Sequence, residues 1–84
     1  MCTYRTDRVL LEGSGKGANG WFELKAATVY FDHPVSAPME HALNIDFVNP
    51  ELGPSARVAV ELGRESALAL ARAITLMVEG SPVS

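Results

Sequence analysis

Apolar and polar residues alternate along most of this chain with a period of two, and the period lengthens to a helical one only near the end. In residues 3–12, TYRTDRVLLE, Val9 and Leu11 share one face while Leu10 takes the other. That predicts a first strand, buried on both faces near its end or carrying a bulge. After Trp21, the apolar residues Phe22, Leu24 and Ala26 alternate with Glu23 and Lys25, and then Val29 and Phe31 appear on the opposite parity. The switch predicts a second strand with a bulge near Ala26–Ala27.

A third strand over 41–48 puts His41, Leu43, Ile45 and Phe47 on one face and Ala42, Asn44, Asp46 and Val48 on the other. A fourth, over 56–62, turns Ala56, Val58, Val60 and Leu62 inward. Aligning the apolar faces of these two sets Phe47 against Ala56, Ile45 against Val58 and Leu43 against Val60. The same register faces Asp46 with Arg57 as an outer ion pair, which gives Asp46 a structural role.

From Arg64 to Glu79, Ala67, Leu70, Ala71, Ile74, Met77 and Val78 recur at helical spacing, and Gly80 and Pro82 stop the run. This predicts a helix whose apolar stripe covers one face of the sheet, with Met77 filling the core. Leu76 projects nearly opposite that stripe, which favours a homo-oligomer. The segments GSGKGANG (13–20) and NPELGPS (49–55) read as loops. The expected architecture is therefore α+β: a four-stranded, mostly antiparallel sheet with one C-terminal helix packed on one face, in a single domain over residues 1–84.

Length and charge narrow the classes of function. A chain of 84 residues has a thin margin for a core, which association between copies would widen. Ten acids against seven scattered bases give a net charge of −3, so neither a nucleic-acid footprint nor a polybasic membrane segment is expected. No apolar run has the length of a membrane span or a secretory signal, and the single cysteine, Cys2, excludes an internal disulfide; a cytoplasmic protein is expected. Gly15, Gly17 and Gly20 satisfy G-x-G-x-x-G, but a strand follows where a dinucleotide site needs a helix, and Lys16 precedes Gly17 rather than Ser or Thr. Nucleotide is not expected as a cofactor; what remains is an anion nest of glycine amides and Lys16, or a plain hairpin loop.

Both histidines follow an acid. Asp32-His33 and Glu40-His41 flank a six-residue connection containing Pro34 and Pro38, so a hairpin would bring the two pairs together at its mouth. Neutral imidazoles with neighbouring carboxylates suit zinc, copper, nickel or iron. A transition-metal site of His33 and His41, completed by Cys2, Asp32 or Glu40, is the leading expectation, although the spacing matches no standard ligand pattern. The alternative is a metal-free small-ligand-binding or accessory subunit of a homo-oligomer. Its pocket would lie between the glycine segment and the same hairpin mouth, with Lys16, Tyr4 and Tyr30 as ligand contacts. Whether the chain is an enzyme stays open, since an acid-oriented histidine could act as a general base but no oxyanion-hole motif accompanies it.

The segments CTY (2–4), GSGKG (13–17), GWF (20–22), YFDHP (30–34) and EHALNIDF (40–47) together resemble a small bacterial family of uncharacterised proteins. The resemblance covers nearly the whole chain. It implies a complete stand-alone protein and carries no established activity, so no residue inherits a catalytic role from it.

Overall fold

A computed structural model describes residues 5–32 and 41–80. Four strands, β1 (Thr6–Gly17), β2 (Gly20–Asp32), β3 (Ala42–Val48) and β4 (Arg57–Leu62), form one antiparallel sheet in chain order, followed by the helix α1 (Arg64–Glu79). The α+β class and the bounds of the helix are as the periodicity predicts.

The glycine segment differs from expectation. Gly13, Gly15 and Gly17 lie inside β1, paired with Leu24, Phe22 and Gly20, and only Ala18 and Asn19 form the turn. Strand pairing overrides their weak intrinsic preference because β2 supplies a continuous partner. Gly20 takes φ +108, a conformation that side chains disfavour, and so the chain reverses at Asn19-Gly20. A Cβ at Gly15 would come within 3.2 Å of the Leu24 side chain, so this glycine accommodates a neighbour.

The register shift also lies on the other strand, between Leu10 and Gly13 of β1. Two residues, Leu11 and Glu12, there oppose Lys25 alone, which bends the sheet. The parity switch read from β2 is its counterpart. Leu24 shares a recess with Phe47 and Val58, while Phe47 pairs with Ala27, so the inward side of β2 changes between Leu24 and Ala27. Both Ala26 and Ala27 are buried at this corner. The result is a curled sheet whose concave face carries Val29, Phe31, Leu43, Ile45, Phe47, Val58, Val60 and Leu62.

The β3–β4 register is two residues away from the expected one: Phe47 faces Val58, Ile45 faces Val60, Leu43 faces Leu62, and Arg57 faces Val48. A slip of two preserves every side chain's face, so the hydrophobic pattern could not distinguish the two registers. The connecting loop decides between them. A short 3₁₀ turn at Pro50–Leu52 and the bond from Asn49 N–H to the Ala56 carbonyl (3.2 Å) make Asn49 and Ala56 the closing pair.

Burial is sparse. Among the described residues, the buried apolar ones are Leu24, Ala26, Ala27, Ala42 and Ala56, and no large side chain is fully buried. The helix stripe, expected to cover the sheet, is largely open to solvent: Leu70 is 45% exposed, Ile74 55% and Val78 68%. Met77, expected in the core, is 73% exposed, and Leu76, expected outside, is 66% exposed. Gly63 alone joins β4 to α1, and α1 contributes no buried residue along its whole length.

Candidate functional site

Of the residues expected to bind metal, Cys2, His33, Glu40 and the side chain of Asp32 lie outside the described residues. The backbone of Asp32 pairs with Ala42, so the connection bearing the two acid-His pairs does join neighbouring antiparallel strands. His41 is half-buried and stacks on Phe31, with ring centroids 5.9 Å apart and planes at 14°. That contact comes from packing across the strand end and places the imidazole at the rim of the concave face. Among the described residues, no three His, Cys, Asp or Glu side chains gather as a metal cluster.

The residues expected to bind a small ligand are not brought together. Tyr4 lies outside the described residues. Lys16 lines a recess of about 290 Å³ with Ser14, Gly15, Leu24, Phe47 and Val58. Tyr30 lies near the other end of the 13-residue β2, where its hydroxyl reaches Oδ2 of Asp46 at 3.5 Å. The glycine segment pairs with the start of β2 and the β2–β3 connection leaves its end, so Lys16 and Tyr30 stand near opposite ends of that strand.

Asp46 is structural, as the pattern predicts, although through a diagonal pair. Arg57 stands opposite Val48 and reaches back to donate from Nε (3.1 Å) and Nη2 (2.7 Å) to Oδ1 of Asp46. The sequence reading missed Asn49. It is 2% exposed; its Oδ1 accepts from Glu51 N–H at 3.1 Å and its Nδ2 donates to the Glu23 carbonyl at 2.9 Å. One side chain thus caps the 3₁₀ turn and ties it to β2. The signal was present as Asn followed by Pro, a helix-start pair.

What the concave face offers is apolar surface. At the β4–α1 junction, Phe31, Leu43, Arg64, Ala67 and Leu68 line a recess of about 200 Å³; at the far end lies the 290 Å³ recess. Beyond the first of these, Leu70, Ile74 and Val78 continue the helix into solvent.

A family model described as a family of unknown function (DUF6295) matches residues 1–84. The chain belongs to this family. No curated protein and no solved structure matches it. Family membership therefore names no reaction or ligand, and the surface itself is the guide to function. Among the described residues, no helix is long and apolar enough to cross a membrane.

Proposed function

We propose that this chain is a self-associating accessory module whose working unit is a homodimer. The observation that carries this reading is the surface the protomer leaves exposed. Leu70, Ile74 and Val78 are each 45–68% exposed along one side of one short helix. Monomeric proteins rarely leave such a contiguous patch open.

Sedimentation velocity of the purified chain at micromolar concentration tests the reading. The expected result is a species of twice the 9.0 kDa chain mass, with a melting temperature that rises with protein concentration. A single 9.0 kDa species with a concentration-independent melting temperature overturns it.

A further inference from the structure

We propose that Asn19 is a site of spontaneous modification: the backbone nitrogen of Gly20 displaces its side-chain amide, leaving aspartate and isoaspartate at the tip of the β1–β2 hairpin. The proposal does not depend on how many copies assemble. It rests on a contrast among the asparagines of the chain, Asn19, Asn44 and Asn49. Asn44 is 5% exposed, donates from Nδ2 to the Ala42 carbonyl at 3.0 Å and precedes the branched Ile45. Asn49 is held at both ends of its amide and precedes Pro50, whose nitrogen carries no hydrogen to lose. Asn19 lies exposed in the turn, and its side chain makes no hydrogen bond among the described residues. At Gly20, nothing lies within 4 Å of the place a Cβ would take. The attacking nitrogen therefore has neither a side chain on its own residue nor a packed neighbour to shield it.

The reaction needs only water. Hydroxide removes the proton from the Gly20 nitrogen, which attacks Cγ of Asn19; the new N–Cγ bond forms, the Cγ–Nδ2 bond breaks and ammonia leaves. Water then opens the cyclic imide. Cleavage of the N–Cγ bond gives aspartate, and cleavage at the Asn19 backbone carbonyl gives isoaspartate, whose main chain runs through Cβ and Cγ. Ring closure requires the Gly17–Gly20 pair to open for a moment. Opening a hairpin tip costs much less than global unfolding, and Gly13, Gly15 and Gly17 give this end of β1 no side chains to hold it. Isoaspartate lengthens the main chain inside a tight turn, so the register that sets Lys16 opposite Trp21 no longer closes. Aspartate keeps the main chain and the register.

The test incubates the purified full chain in ¹⁸O-enriched water at mildly alkaline pH and physiological temperature, beside the same chain unfolded in urea. Digestion in ordinary water follows, so any later conversion stays unlabelled, and the peptides are weighed. The Asn19 peptide is expected to take up ¹⁸O and resolve into aspartate and isoaspartate forms, at a rate within ~100-fold of the unfolded chain. Asn44 and Asn49 are expected to stay intact in the folded chain. Asn19 left intact, or converted more slowly than that limit, overturns the proposal, because the reaction would then need global unfolding. Equal conversion at Asn44 overturns it as well, since burial and bonding would make no difference. Ion exchange separates the modified chain, which carries one more negative charge. Its isoaspartate form should lose the Lys16–Trp21 cross-strand nuclear Overhauser effect that the aspartate form keeps; retention in both overturns the assigned effect on register.

Discussion

The β3–β4 hairpin and α1 are neighbours in sequence, yet they are held by different means. The hairpin is closed by groups within the chain: Asn49 bridges to Glu51 and Glu23, Arg57 holds Asp46, and Ala42, Asn44 and Ala56 are buried. The helix has no buried residue, and Gly63 at its start provides no side-chain cap. An isolated helix of this length is marginal in water, because nucleation is costly and stability normally comes from packing an apolar face. The hairpin's shape is thus determined by groups of the described chain, whereas α1 buries none of its residues there.

The largest expected effect tests the helix half of that contrast. On a solvent-facing helix surface, Ile74→Glu would change stability by no more than about 0.5 kcal/mol. Across a dry interface it introduces an unpaired charge, and we expect dimer dissociation to rise at least ~100-fold, equivalent to about 3 kcal/mol. Sedimentation over a dilution series reads the change. Glu79→Gln, on the polar side of the wheel, should leave the dimer constant within twofold or so, since exposed charges contribute little. If Ile74→Glu behaves like Glu79→Gln, the stripe is not an interface.

Next in size is Asn49→Ala, which probes the hairpin half. It removes the cap on Glu51 N–H and leaves the Glu23 carbonyl without the 2.9 Å bond that Asn49 gives it. Losing a buried partner and a cap together should cost about 2–3 kcal/mol. The loss is local, so it should appear as a lower urea midpoint with an unchanged dimer constant for the folded chain. A shift in the dimer constant as large as that in stability would mean that the loop and the interface are one unit, and the contrast would fail.

The same contrast explains what was legible in the sequence. The strands, their faces and the helix bounds follow from local periodicity, and local periodicity is what Leu43, Ile45 and Phe47 or Val58, Val60 and Leu62 carry. Register is not local. Phe47 against Ala56 and Phe47 against Val58 present the same faces, and the choice came from Asn49 closing the loop on Ala56. The position of GSGKG in β1 depends on a partner strand as well, which composition does not record. At the candidate site, His41 was legible as a rim residue, and it stacks on Phe31. What the stripe at Leu70 and Ile74 faces was hidden, because helical periodicity identifies an apolar side without saying which surface it meets.

The smallest expected effect is also the one that could extend the helix's behaviour to the hairpin. Both Arg57 donors converge on the same oxygen of Asp46, so the pair lacks the parallel two-oxygen geometry that makes arginine–carboxylate contacts strong. The Arg57 side chain is 51% exposed and that of Asp46 19%, which leaves the contact screened by water. Asp46→Asn keeps an acceptor for Arg57 while removing the charge and the acceptor that the Tyr30 hydroxyl reaches at 3.5 Å, so a cost of about 0.5–1 kcal/mol is expected, its charge-dependent part shrinking toward zero at ~1 M salt. A double-mutant cycle with Arg57→Gln isolates the coupling. A coupling above about 2 kcal/mol that persists in high salt would belong to a desolvated pair. The outer face of the hairpin would then be covered, and the hairpin would owe part of its stability to a second molecule.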